Sequence, residues 1–224
     1  MKLSKLFFWR KFKKKRSLYD LGSIAADKNN FKLAFKCFLE DAKRNKNPKS
    51  QFLVGFFLLY GSGVKRDYNL ARQWFHVAAE QENKDAMFYL GEMYKNGKGV
   101  EKDFKEAFAW YMDAALLGHV EAQFNVGFMY KQGKGVRKDY DEAVKWLLMA
   151  AEKGDMKAQY NMGIMCASGK GTLKDDEEAF EWYKKSAEQG YSIAMYNLAY
   201  MYQSGRGIER NYKEAVKWFK KSGE

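Results

Sequence analysis

Residues 122–136 read Ala-Gln-Phe-Asn-Val-Gly-Phe-Met-Tyr-Lys-Gln-Gly-Lys-Gly-Val, and the same frame recurs along most of the chain at a step of 36 residues. Gly127 falls in register with Gly55, Gly91 and Gly163, with Ala199 in the last slot. Ala122 matches Ala86, Ala158 and Ala194. Downstream, Trp146 belongs to the column Trp74, Trp110, Trp182 and Trp218. The pair Gly133/Gly135 repeats as Gly61/Gly63, Gly97/Gly99, Gly169/Gly171 and Gly205/Gly207. Columns in register over this length mark a repeat architecture, in which each unit buries its apolar face against its neighbours.

Each period reads as two helices. In residues 84–119, Ala86, Met87, Leu90 and Tyr94 have helical spacing. The run Asn96-Gly97-Lys98-Gly99-Val100 then breaks the pattern. A second helix follows from Asp103, with the stripe Phe104, Ala107, Phe108, Tyr111, Ala114 and Ala115. Gly118 stands where a left-handed cap is expected. Asp103 with Glu106, Asp139 with Glu142, Asp175 with Glu178 and Asn211 with Glu214 have the spacing of a capping box, whereas Asp67 is followed by Leu70 and keeps only the cap. The tryptophan column is expected to fill the space between units, so deleting one ring would cost about 3–5 kcal/mol. The single proline, Pro48, agrees with a chain of uninterrupted helices.

The net charge of +12 is unevenly spread. Residues 1–16 hold eight Lys/Arg and no acid, which leaves +4 for the rest. The body is therefore not expected to bind nucleic acid. Leu3, Leu6, Phe7, Phe8, Trp9 and Phe12 are interspersed among those cations. The segment has the chemistry to contact an anionic membrane surface, with capping of the repeats or a free tail as the competing readings. Its apolar run is too short for a secretory signal, and no stretch is long enough to span a membrane, so a cytoplasmic location is expected, with a peripheral place at the membrane as the variant of it. Cys37 and Cys166 occupy different places in the repeat and suggest neither a disulfide nor a metal site. His76 and His119 also differ in position, and no nucleophile, zinc or dinucleotide motif is present, so no catalytic residues, no cofactor and no enzyme activity are expected. Gly97-Lys98-Gly99 and its copies follow a helix rather than a strand and recur in every unit, which makes them structural turns and not phosphate loops.

The run 122–136, continued by Asp139, Ala143, Trp146, Ala150, Ala151 and Gly154, resembles the Sel-one-like repeat (SLR) family, relatives of the tetratricopeptide repeat (TPR). The resemblance covers units 50–83, 84–119, 120–155, 156–191 and 192–224. Residues 17–49 form a degenerate TPR-like first unit, with Leu18, Leu21 and Gly22 in its first helix and Phe31, Ala34, Phe38 and Ala42 in its second. The fold implied is all-α: a single right-handed α-solenoid superhelix of antiparallel helix pairs over 17–224, whose first helices line a concave face. A chain that stops directly after a second helix is expected to leave its last face partly exposed to a partner or another copy.

On that geometry Phe52, Phe88, Phe124, Tyr160 and Tyr196 share one groove-facing column, and Phe56, Glu92, Phe128, Ile164 and Tyr200 share another. Large rings there would anchor a peptide or helix; the competing reading is core packing between helices. Asn125, Asn161 and Asn197 form a third column, suited to clamping a peptide backbone or to bonding neighbouring helices. Phe52, Phe56, Phe57, Leu58, Leu59 and Tyr60 make the first full repeat unusually apolar, which marks a contact site or packing against the N-terminal unit. The expected function is a non-catalytic scaffold that binds a protein or peptide partner in the groove. Alternatives are a regulatory or immunity-type protein that neutralises a cognate enzyme or toxin, and anionic membrane or nucleic-acid binding through residues 1–16.

Overall fold

The computed structural model describes residues 16–223. The expected membrane-contacting segment, apart from Arg16, lies outside the described residues. Among them the chain forms twelve α-helices and no strand: α1 (Leu18–Asp27), α2 (Phe31–Asn45), α3 (Pro48–Tyr60), α4 (Tyr68–Ala79), α5 (Lys84–Asn96), α6 (Phe104–Leu116), α7 (Val120–Gln132), α8 (Tyr140–Glu152), α9 (Met156–Ser168), α10 (Asp176–Glu188), α11 (Ser192–Ser204) and α12 (Tyr212–Ser222). They fall into two compact units. The first holds the described residues up to Met93 together with Gly97–Glu101; the second holds Tyr94–Asn96 and the residues from Lys102 onward.

Within a helix pair, the glycine of the first helix lies directly beneath a large side chain of the second. A Cβ on Gly55 would sit 2.7 Å from the Phe75 ring, and one on Gly22 would sit 2.6 Å from Phe38. In the second unit, Gly127 faces Leu147 at 2.8 Å and Gly163 faces Tyr183 at 2.6 Å. The residue over the glycine follows the tryptophan column by one place. Phe75, Tyr111 and Leu147 have no exposed surface at all. The tryptophans are less central than expected: Trp182 and Trp218 are buried, but Trp74, Trp110 and Trp146 are half-buried.

The two glycines of each turn do different work. Gly133 caps α7 in the left-handed conformation (φ 71°), and its N–H and that of Lys134 both donate to the Met129 carbonyl. Gly135 (φ 75°) presses against the preceding helix pair, where a Cβ would fall 2.0 Å from the Phe104 carbonyl oxygen. The residue between the glycines reaches the same helix start. Lys134 Nζ lies 4.0 Å from the Phe104 ring centroid and Lys170 Nζ 5.6 Å from that of Tyr140. Where the helix begins with Asp176 instead of a ring, the turn supplies Arg206, which pairs with that carboxylate at 2.7 Å. The chemistry of the contact switches from cation–π to ion pair while its place in the fold is kept.

The second helices are capped by Asp67, Asp103, Asp139, Asp175 and Asn211, whose side chains accept from N–H groups of the first turn. The reciprocal half of the capping box is a correction to the sequence reading. The Asp103 N–H donates to the Tyr94 carbonyl, the Asp139 N–H to Tyr130 and the Asp175 N–H to Cys166, so the glutamates have no donor to return to. Glu106 and Glu178 accept from the indole N–H of Trp110 and Trp182 instead, at 3.0 and 3.2 Å. Buried glutamines tie the pairs together: Gln123 donates to the Ala115 carbonyl and accepts from Lys153, and Gln159 donates to Ala151 and accepts from Gln189.

In the first unit the apolar run of α3 is mostly core. Phe57 meets Phe31, Phe35 and Phe38, while Leu58 and Leu59 are buried. The entry to α3 is organised by Asp41, 2% exposed, which accepts hydrogen bonds from Asn45, Asn47 and Ser50. Asn47 is the N-cap of α3. Burial opposes the charged form of Asp41, but the bonds from Ser50, Asn45 and Asn47 outweigh it and hold the carboxyl below its usual value.

Two outcomes follow from these contacts. Gly127→Ala gains about 1 kcal/mol in helix propensity, but its methyl meets Leu147 and the Ala143 carbonyl. Overpacking of about 1–3 kcal/mol should prevail, and a lowered urea midpoint with an unchanged m value is expected. Because the Asp41 pKa is depressed, the stability it lends is present above its unfolded-state pKa and is lost as pH falls through the folded value. Asp41→Asn should therefore flatten the loss of stability measured between about pH 5 and pH 2.

Candidate functional site

The first helices present the aromatic and amide columns. In the first unit Phe52 and Phe56 are half-buried in a ring cluster with Phe75 and Tyr89, and Phe56 also meets Tyr60 at 4.7 Å. Phe88 and Glu92 are half-buried beside Tyr89. Burial and the neighbouring Tyr60 push the Tyr89 phenol up to about 12.

In the second unit Phe124 and Phe128 stack at 5.7 Å and remain half-buried. Tyr160 packs between Tyr183 and Tyr191 at 5.8 and 5.3 Å. Tyr196 meets Phe219 and stays 42% exposed, and Tyr200 is 51% exposed. Exposure of the last helix pair extends to Ile193, Tyr212 and Val216.

The amide column divides. Asn161 is 6% exposed; it accepts from Lys131 Nζ at 2.6 Å and donates to the Lys157 carbonyl. Burial and a bond at each end turn this amide inward, which favours the helix-bonding reading over the ligand clamp at this position. Asn125 and Asn197 are half-buried. Asn197 hydrogen-bonds the phenols of Tyr160 and Tyr183.

A cavity of about 140 Å³ opens beside this network, lined by Tyr183, Asn197, Tyr200, Met201, Ala167 and Arg206. Burial pushes the Tyr183 phenol up to about 12 and raises that of Tyr160, while Asn197 works in the opposite direction on both. Tyr183, Arg206 and Lys131 were not among the residues expected at the site. Lys131 lies three residues past Phe128, Arg206 lies in the turn after α11, and Tyr183 belongs to a second helix. The step of 36 residues from Lys95 to Lys131 was the available signal.

Other reactive groups are occupied or muted. Burial, and then Glu178, push the Cys166 thiol up to about 12, far from the thiolate a nucleophile needs. His119 caps α7 through Nδ1. Among the described residues no group of His, Cys, Asp or Glu is placed to hold a metal ion, and no helix is long and apolar enough to cross a membrane.

The Sel1 repeat profile matches residues 48–83, 84–119, 120–155, 157–191 and 192–224. The chain belongs to the Sel1 repeat family. Sel1 repeats generally mediate protein–protein interaction, and the helix pairs seen here are those of the Sel1 solenoid fold. A Sel1 repeat protein from Oxalobacter formigenes is 33% identical with a TM-score of 0.87, over 93% of this chain and 83% of its own. A protective antigen of uropathogenic Escherichia coli with an SLR fold is 39% identical with a TM-score of 0.81, over 84% of this chain. The match spans 40% of that antigen's length. Among curated proteins none matches.

The phenol network is open to measurement. Asn197→Ala should raise the Tyr160 and Tyr183 pKa values further, since the amide favours their ionised forms; carbon-13 NMR of the tyrosine Cζ atoms across alkaline pH reads the shift directly.

Proposed function

We propose that this chain is a non-catalytic scaffold that binds a peptide or an extended segment of a protein partner on the face of its first helices. The observation that carries the reading is the exposure of aromatic side chains in the expected columns. Tyr196 and Tyr200 are 42% and 51% exposed, and Tyr200 borders a cavity already lined by an amide and a guanidinium. Large rings with polar neighbours are the usual anchors of a protein interface. The deep part of each column packs the fold, and its outer edge is left for a partner.

Affinity capture from a native lysate, read by mass spectrometry, tests this. The chain should retain a stoichiometric protein that a Phe128→Asp/Tyr200→Asp variant, shown to be folded by circular dichroism, fails to retain. A partner held equally by both would overturn the assignment of this face.

A further inference from the structure

The turn that joins α7 to α8, and the corresponding turn after α9, place lysines around one tyrosine. Lys138 Nζ lies 4.9 Å from the Tyr140 ring centroid and Lys170 Nζ lies 5.6 Å from it. Lys131 belongs to the same group: a hydrogen bond with Lys138 lowers the Tyr140 phenol most, Lys170 and Lys131 add to it, and the Lys131 ammonium is itself lowered by burial and by Lys170. Like charges have thus been gathered at a cost. Ring contacts and the Asn161 amide solvate these cations but neutralise none of them.

Two of the nearby carboxylates are engaged elsewhere. Asp139 caps α8 by accepting from the Asp141 and Glu142 N–H groups. Glu142 pairs with Lys145 at 2.6 Å. By contrast Lys131, Lys138 and Lys170 take part in no ion pair among the described residues. The asymmetry is wider than this cluster. In the second unit, α9 and α11 contain no acid and α7 contains only Glu121, while α10 alone carries Asp176, Glu177, Glu178, Glu181 and Glu188. The first-helix face is therefore short of negative charge next to a concentrated positive one. Phe128 connects the two features, with Lys131 Nζ 5.7 Å from its ring centroid and Phe124 stacked upon it.

We infer that Lys131, Lys138 and Lys170, with the Phe124–Phe128 stack, form a recognition site for an acidic protein segment that carries an apolar anchor residue. The inference rests on the first-helix reading above and narrows its partner to one charge class. Unpaired cations beside a ring pair supply charge complementarity and an anchor together. An extended polyanion fits less well. Nucleic-acid binders that neutralise about 6–10 phosphates do so along a stripe, whereas the chain beyond residue 16 carries only +4, and α8 and α10 carry an excess of acid.

The test uses the full chain and fluorescence anisotropy. The probes are a labelled oligoglutamate with one central phenylalanine, its oligolysine counterpart, oligouridine, and phosphatidylserine vesicles. The glutamate probe should bind best. Lys138→Glu/Lys170→Glu should weaken it by about tenfold or more, as for opposed charges at an interface. Lys145→Glu/Lys217→Glu, at lysines already paired within their own helices, should leave it unchanged. Glutamate-probe binding that survives Lys138→Glu/Lys170→Glu would mean the basic residues 1–16 hold it, and overturns the site. Equal binding of the lysine probe, or tighter binding of oligouridine or vesicles lost in the same variant, also overturns it. Phe128→Ala separates this inference from the broader reading: binding that needs the lysines but not Phe128 keeps the charge site and removes the ring stack. A captured partner lost in Phe128→Asp/Tyr200→Asp, with no glutamate-probe binding, keeps the first-helix face and removes the acidic ligand.

Discussion

Everything in a helix pair is arranged around one close approach, the glycine of the first helix beneath a large side chain of the second. At Gly127 there is room for Leu147 only because no Cβ intervenes, and at Gly163 the same space holds the Tyr183 ring. That contact fixes how near the helices lie and therefore which residues are central. Phe75, Tyr111 and Leu147 are fully buried while the adjacent tryptophans of their helices remain half-exposed. Close packing at this density leaves little room for substitution, which is why the column carries glycine along most of the chain. Ala199 is the exception, and the matching Phe219 is only half-buried.

Pairs are then joined by a second contact of the same kind. The later glycine of each turn lies against the preceding pair, and in three turns the residue before it reaches the first residue of that pair's second helix. Lys134 meets a phenylalanine ring, Lys170 a tyrosine ring and Arg206 a carboxylate. Individually such surface contacts contribute about 0–1 kcal/mol. Their importance is geometric, because they place a cation at a set point in the turns after α7, α9 and α11. The proposed binding face inherits that placement: Lys170 acts on Tyr140, and Arg206 lines the cavity beside Tyr200.

The capping glutamates show how tertiary context redirects a local motif. Asp103 and Glu106 have the spacing of a reciprocal cap, yet the Asp103 N–H is taken by the Tyr94 carbonyl of the preceding helix. Released from that role, Glu106 bonds the Trp110 indole. The asparagine column shows the same effect. Asn161 looks like a free amide in the sequence, but Lys131, thirty residues earlier, claims its oxygen, while Asn197, one period on, turns to two phenols. Equivalent positions in a repeat share a backbone environment, whereas their side-chain partners depend on which residues the neighbouring repeats supply.

The sequence by itself determined the repeat, its helix–turn–helix content, the turn glycines and the N-caps, because each depends on local backbone conformation or on a period of 36 residues that survives substitution elsewhere. It also placed the aromatic columns on the first helices. Tertiary structure alone decided which of those rings remain accessible. Phe52 and Phe56 are drawn into a cluster around Tyr89, while Tyr196 and Tyr200 stay open. It also decided which lysines lack a carboxylate. Glu142 lies three residues from Lys145 and four from Lys138, and sequence distance does not say that it turns to the first and away from the second. Burial and charge pairing are properties of neighbours in space, and some of those neighbours, such as Lys131 for Asn161 and Gln189 for Gln159, stand a whole helix pair away along the chain.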